Sequence, residues 1–258
     1  MVKTKKSLGQ NFLTDELILN RILETVNPRK QDQFFEIGCG RGALTKRLMP
    51  KIKRIDGVEI DKDLISSLRK LESSSTDLTI HQGSVLKINL DKISRNNSKF
   101  RVIGNLPYNL SSKIMLWTFN NAEHIFDIHY MFQKEFGERL VSPPGNKTYG
   151  RLSVLTQYMF DSEDLFEILP ESFTPKPSVD SIFIKFQPKP QKDINSLEAI
   201  RLQELTRLMF SKRRKKISTS CKKILQPNEF IDLGINPDDR PESLNLNDFL
   251  KITKYLSK

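Results

Sequence analysis

Phe34-Phe35-Glu36-Ile37-Gly38-Cys39-Gly40-Arg41-Gly42 is an apolar run of strand length that ends in three alternating glycines. Ala43–Leu48 follows with helical spacing, so the segment reads as strand, tight turn, helix. Glycines at such a turn let the chain bend sharply and let a ligand reach backbone amides with no Cβ in the way. The next strand-like run, Ile55–Ile60, carries Glu59, 21 positions after Gly38. That spacing sets a carboxylate beside the loop, at the ribose position of a mononucleotide-binding unit.

Two cofactors fit the loop. As Gly38-x-Gly40-x-x-Ala43 it satisfies a relaxed dinucleotide fingerprint, which leaves NAD open. As Glu36-x-Gly38-x-Gly40-x-Gly42 it resembles motif I of S-adenosylmethionine methyltransferases, in which an acidic residue precedes the glycines and no pyrophosphate has to be cradled.

Working outward, strand-like and helix-like segments alternate over about the first 190 residues, the pattern of an α/β sheet. Thr14–Val26, Ala43–Leu48, Leu64–Leu71, Ser112–Asn120 and Leu152–Phe160 read as helices. Gln33–Ile37, Ile55–Ile60, Leu78–His81, Arg101–Gly104, Ile128–Phe132, Leu165–Leu169 and Ser181–Phe186 read as strands. Ser142–Tyr149, Phe173–Ser178 and the linker-like Gln187–Lys192 interrupt them. Beyond the linker the strand signal stops. Ser196–Phe210 is amphipathic, Ser211–Leu225 is expected as a basic helix and Asn247–Leu256 as a last one. Ser73–Ser75 reads as a loop.

The 258 residues suffice for one large domain or a medium and a small one, with a core that needs no staples. Two cysteines, Cys39 and Cys221, are too few for a disulfide framework, and three scattered histidines give no metal site. No apolar run is long enough for a membrane span. Met1–Lys6 is basic, but Ser7–Leu13 is short and polar, so no signal-peptide core follows and the cytoplasm is expected. The net charge of +11 points to a polyanionic partner, nucleic acid before membrane surface.

Directly after the Arg101–Gly104 strand stands Asn105-Leu106-Pro107-Tyr108. An Asn side-chain oxygen and a backbone carbonyl held by proline form a pair of acceptors, with an aromatic face beside them. That grouping suits an exocyclic amine on a planar base. The lone pair of an adenine N6 is delocalised into the ring, so the nitrogen is a poor nucleophile. Accepting both of its protons favours a pyramidal nitrogen whose lone pair is aimed at a methyl donor. Catalysis is then mostly positioning, which can supply on the order of 7–11 kcal/mol.

Several further segments stand in an order that resembles the KsgA/RsmA family of ribosomal RNA adenine dimethyltransferases over nearly the whole chain. They are Lys6-Ser7-Leu8-Gly9-Gln10-Asn11-Phe12-Leu13, Glu36–Thr45, Val58-Glu59-Ile60-Asp61, Gly104–Ser112, Gln133-Lys134-Glu135, Tyr149–Val154 and Phe173-Thr174-Pro175-Lys176-Pro177-Ser178-Val179-Asp180-Ser181. The resemblance implies an α/β fold, a Rossmann-like class I S-adenosylmethionine-dependent methyltransferase domain over 1–187 with an N-terminal RNA- and cofactor-binding segment. It implies a small all-helical C-terminal domain over 188–258 with a basic RNA-binding helix. The implied reaction is dimethylation of N6 on two adjacent adenosines in a hairpin loop near the 3′ end of small-subunit ribosomal RNA, during assembly of that subunit. Asn11, Leu13, Gly38, Gly40, Glu59, Ser84 and Asn105 would serve the cofactor. Asn105, Leu106, Pro107 and Tyr108 would hold the target adenine, with Phe173 stacked on its other face.

One position departs from the family. Ser84 stands where an Asp usually bonds the cofactor's adenine amine, and the shorter, uncharged hydroxyl implies weaker affinity.

Lys212-Arg213-Arg214-Lys215-Lys216, with Lys222 and Lys223, is the densest charge in the chain, and residues 191–258 hold 14 basic and 9 acidic side chains. The family reading makes the run a clamp on RNA phosphates, joined by Lys3, Lys5 and Lys6. Cys39 is expected to fill space in the loop, Asp61 to cap a helix, Trp117 to lie in the core, and His81, His124 and His129 to be surface or packing residues. A monomer is the default expectation. Rival readings are an Erm-type methyltransferase of large-subunit RNA, an RNA-binding assembly factor that has lost catalysis, and an NAD oxidoreductase. Gly104-Asn105-Leu106-Pro107 and Tyr149–Val154 favour the small-subunit branch.

Overall fold

Backbone alternation along the chain builds a layered α/β sheet in the computed structural model, which describes residues 9–71, 76–95, 98–190 and 196–257. Lys3, Lys5 and Lys6, Ser73–Ser75 and the end of the Gln187–Lys192 linker lie outside the described residues. The strands are β1 (Phe12–Leu13), β2 (Gln33–Ile37), β3 (Arg54–Glu59), β4 (Asp77–Gln82), β5 (Phe100–Asn105), β6 (Ile125–Gln133), β7 (Phe160–Ile168), β8 (Phe173–Thr174) and β9 (Ser181–Pro188). Seven of them form one sheet in the order β4-β3-β2-β5-β6-β9-β7. The first five in that order are mutually parallel, and β9 runs antiparallel to β6. The strand order reverses between β2 and β5, where the crevice at the carboxyl ends of an α/β sheet receives its ligand.

Buried parallel strands read as continuous apolar runs, and Phe34, Phe35 and Ile37 of β2 are all buried. Helix α1 (Glu16–Val26) starts where Asp15 accepts the Leu17 and Ile18 amides at 2.9 and 3.2 Å, a cap worth about 1 kcal/mol. It buries Leu19, Ile22, Leu23 and Val26 and stops at Asn27, whose φ of 46° is left-handed. Helix α2 (Ala43–Leu48) follows the glycine turn, and α3 (Lys62–Arg69) follows β3. Asp61 caps α3 by accepting Asp63 N–H at 3.1 Å, as the sequence implies. Further on come α4 (Leu90–Ile93) and α5 (Ser111–Asn120).

At the opposite end of β5 from Asn105, Arg101 is 9% exposed and fully engaged. It meets both Asp127 oxygens, Asp32 at 2.8 Å and the Val26 carbonyl at 2.7 Å. A buried guanidinium is tolerable only when paired and hydrogen-bonded in this way.

The chain divides into two compact units, Met1–Gly137 with Glu163–Pro188, and Glu138–Ser162 with Lys189–Lys258. The single expected boundary at 187/188 is therefore corrected, because residues 138–162 group with the C-terminal helices. One divide falls within α6 (Lys134–Val141), the other within β7. Helix α7 (Arg151–Met159) buries Val154, Leu155, Tyr158 and Met159, so its apolar pattern does not reveal which neighbour covers it. Its neighbours include α8 (Ser196–Ser211), where Tyr158 donates to Glu198 at 2.9 Å. Phe210 of α8 stacks on Phe249 of the terminal α11 (Leu246–Tyr255). Two short helices, α9 (Ile217–Cys221) and α10 (Pro227–Asp232), lie between them in sequence.

The basic run is not helical. Lys212–Lys216 forms the turn between α8 and α9, correcting the expected Ser211–Leu225 helix. Five adjacent cations repel within a helix but suit its negative C-terminal end. Ser211 Oγ, donating to Leu208 O at 2.7 Å, helps to close that end.

Candidate active site

Gly38, Gly40 and Gly42 have φ of 72°, 56° and 76°, left-handed values that explain the alternating glycines. Gly40 is closely faced as well, since a Cβ there would lie 3.0 Å from the Phe12 ring. The loop is tied to β3 by Gly38 N–H donating to Val58 O at 2.9 Å. Glu59, 5% exposed, clamps it from the side: one carboxylate oxygen accepts Gly40 N–H and the other accepts Asp61 N–H, each at 2.8 Å. Each oxygen keeps a lone pair for a ribose hydroxyl. Beneath the loop, Glu36 accepts the Thr45 hydroxyl at 2.5 Å. Burial, reinforced by the Glu59 charge, pushes its carboxyl up to about 8. Cys39 fills the space against Gly57, and burial holds its thiol far above the usual range, so it is inert.

Above the loop opens a cleft. The expected Asn11, Gly38, Gly40, Glu59, Ser84, Asn105, Leu106, Pro107 and Tyr108 all line it. Gly9, Gln10, Phe12, Ile60, Val85 and Leu110 line it too. Phe12 could have been found from its place in Gly-Gln-Asn-Phe-Leu, whereas the apolar rim at Ile60 and Val85 carries no motif of its own. Ser84 caps the single helical turn Val85–Lys87, accepting Leu86 N–H at 3.3 Å.

Asn105 ends β5. A Cβ on the preceding Gly104 would sit 2.7 Å from the Ile37 carbonyl, so glycine there lets β5 close against β2. The Asn105 amide nitrogen donates to the Asn11 carbonyl at 2.7 Å, which fixes the amide's orientation and leaves Oδ1 as its acceptor. Pro107 O accepts Leu110 N–H at 2.9 Å, so of the two carbonyls flanking the proline's bond the one left for a substrate amine is that of Leu106. Tyr108 is half-buried, its hydroxyl 2.7 Å from Ser181 Oγ, and burial raises its phenol so that it stays protonated. The Asn11 amide, oriented to donate, reaches Pro175 O at 3.1 Å.

Two expected contributors sit elsewhere. Phe173 is 3% exposed and packs in the core with Leu13, Met131, Ile168 and Phe183, so its ring is not presented to the cleft. The cause is the short antiparallel ladder of β1 on β8, in which Leu13 pairs with Phe173. Leu13, 4% exposed, lines an adjoining recess instead of the cleft. In the basic run, Lys212, Arg214, Lys215, Lys216, Lys222 and Lys223 are exposed. Arg213 is engaged by Glu242 at 2.8 Å and by the Lys147 carbonyl, which corrects its place in a free clamp. Lys216 pairs with Asp238 at 2.9 Å, with both side chains more than half exposed.

The cleft suits S-adenosylmethionine, with a glycine cradle that side chains would fill, a carboxylate with free lone pairs and an apolar rim. Sheet, loop and cleft together define a class I methyltransferase. The profile described as Ribosomal RNA adenine dimethylase matches residues 1–258, and the chain belongs to that family. It is 38% identical over 253 residues to Ribosomal RNA small subunit methyltransferase A of Dechloromonas aromatica, covering 98% of each chain. The identity to the protein of that name from Marinomonas sp. is also 38%, over 99% of this chain and 96% of the relative. The crystal structure of a dimethyladenosine transferase from Plasmodium falciparum superposes with a TM-score of 0.79 at 25% identity, covering 95% of this chain and 97% of that one. The 23S rRNA methyltransferase ErmE shares the fold, with a TM-score of 0.70 at 23% identity over 96% of this chain and all of that one. Among the described residues no helix is long and apolar enough to cross a membrane.

Proposed function

We propose that this chain dimethylates N6 of two adjacent adenosines in a 3′-terminal hairpin loop of small-subunit ribosomal RNA, using S-adenosylmethionine. It acts as a cytoplasmic monomer on a subunit still being assembled. The observation that carries the reading is the opening of the Asn105–Tyr108 turn into the same cleft as the glycine loop and Glu59. Bound S-adenosylmethionine would supply a methyl group on a positively charged sulfur. Gly38 and Gly40, which carry no side chains, would let it lie close against the loop, Glu59 would hold its ribose hydroxyls, and Ser84 would face its adenine.

Asn105 Oδ1 and Leu106 O accept the two N6 protons of the target base and turn the nitrogen lone pair toward the methyl carbon. Tyr108 supports the ring by stacking, worth roughly 1–3 kcal/mol per base. N6 becomes strongly acidic only on gaining the methyl group, so its proton passes to solvent with no side chain serving as a strong base. Lys212, Arg214, Lys215, Lys222 and Lys223 grip RNA phosphates. Incubation with labelled S-adenosylmethionine and either small or large subunits lacking the modification tests this. The expected result is N6,N6-dimethyladenosine in small-subunit RNA. Label confined to the large subunit overturns it, as does RNA binding without transfer.

A further inference from the structure

The segment 173–181 holds both halves of the base-binding turn. At one end, β8 pairs with β1 and Pro175 O accepts the Asn11 amide, whose backbone carbonyl in turn receives Asn105 Nδ2. At the other end Ser181, the first residue of β9, is completely buried and its Oγ lies 2.7 Å from the Tyr108 hydroxyl. Ser181 is itself fixed, standing opposite Gln133 in the β6–β9 ladder.

Tyr108, by contrast, follows β5 in a single helical turn, Tyr108–Leu110, off the sheet. Its ring can swing about χ1 unless its far end is tied. Stacking uses only the face of the ring, for which a phenylalanine would serve as well. The hydroxyl is therefore an anchor, and its partner sits on a rigid strand.

We propose that Ser181 is a positioning residue for methyl transfer, which fixes where the Tyr108 ring lies against the target adenine by holding its hydroxyl end. This rests on the adenine reading given above. A ring free to rock would still admit the base but would spend less time in the productive stack. The loss would then fall on the rate of transfer, while binding of S-adenosylmethionine stays as it was.

The test compares Ser181→Ala, Ser181→Thr, Tyr108→Phe and the Ser181→Ala/Tyr108→Phe pair with the wild-type chain on small subunits lacking the modification. Each is assayed for kcat, KM and thermal unfolding, with S-adenosylmethionine affinity measured by calorimetry. Ser181→Ala and Tyr108→Phe should each lower kcat about fivefold, the net worth of one ordinary hydrogen bond. The pair should be no slower than Tyr108→Phe alone, because both changes break the same hydrogen bond. The threonine variant, which keeps the hydroxyl, should recover most of the rate. Ser181→Ala at the wild-type rate, or losses that multiply in the pair, would overturn the proposal. If threonine does not fit the buried site, the comparison of the pair with Tyr108→Phe still decides. A wild-type chain that puts no methyl on adenine N6 would sink the adenine reading itself, and this proposal with it.

Discussion

Glu59 joins the glycine loop to the cofactor cleft, and removing its charge separates its two tasks. Its carboxylate accepts two backbone N–H groups at 2.8 Å from a position 5% exposed. Hydrogen bonds to a charged group contribute roughly 1.5–3 kcal/mol each, so Glu59→Ala should destabilise the fold by about 3–6 kcal/mol. That is a large part of the total stability of a domain, typically about 5–15 kcal/mol. Glu59→Gln is the gentler probe. Its amide offers one acceptor and one donor, so either Gly40 or Asp61 N–H faces an NH2 group, at a cost of about 2 kcal/mol. The neutral amide also bonds ribose hydroxyls more weakly, and the Kd for S-adenosylmethionine should rise roughly 10- to 30-fold. Urea unfolding and calorimetric titration measure the two effects separately. A glutamine variant that unfolds at the wild-type urea concentration and binds as tightly would refute the clamp.

Other positions give equally definite outcomes. Ser84→Asp keeps the cap on Val85–Lys87 and restores a charged acceptor, so calorimetry should show cofactor binding about fivefold tighter; unchanged or weaker binding contradicts this. Burial pushes Glu36 up to about 8 and His129 down to about 4. Folded Glu36 thus holds a proton that the unfolded chain lacks between about pH 4.5 and 8, and folded His129 lacks one that the unfolded chain holds between about 4 and 6.5. The two slopes cancel from pH 4.5 to 6.5, and stability falls with rising pH from 6.5 to 8. Glu36→Gln should remove that fall in urea unfolding, and its persistence would place the cause elsewhere. Replacing Lys212, Arg214 and Lys215 by Ala should weaken RNA binding and flatten its salt dependence by roughly 0.7–0.9 log unit for each phosphate no longer neutralised. Arg213→Ala should instead lower the melting temperature, since it breaks hydrogen bonds to Glu242 and the Lys147 carbonyl.

The sheet was legible because buried parallel strands are continuous apolar runs, and Phe34–Gly42 turns on glycines whose left-handed φ only glycine adopts readily. Glu59 was legible because its spacing from the loop follows from strand length, and the Asn105–Tyr108 turn because its acceptors and aromatic stand directly after a strand. The β1–β8 ladder was not, since two residues carry no periodicity and its partners lie about 160 positions apart in the chain. Without the ladder, Phe173 reads as a free aromatic when its ring is core. The basic run misled because Lys and Arg favour helices, and nothing local marks the turn that like charge and the end of α8 impose. Helix α7 is apolar on most sides, which announces burial without naming the partner. Ser181 shows the same limit: the role proposed for it rests on a hydrogen bond across 73 residues, not on its neighbours.

Asn105 bears most directly on the proposed chemistry, because its amide nitrogen is tied to the Asn11 carbonyl and its Oδ1 is the acceptor proposed for the target amine. The measurement is the rate at which wild type and Asn105→Ala form N6,N6-dimethyladenosine in unmodified small subunits, read by mass spectrometry with RNA binding measured in parallel. A rate at least about a hundredfold lower with RNA affinity unchanged is expected, since a misplaced reacting group alone can cost that much. Dimethyladenosine formed by Asn105→Ala at the wild-type rate would contradict the acceptor pair as the source of catalysis.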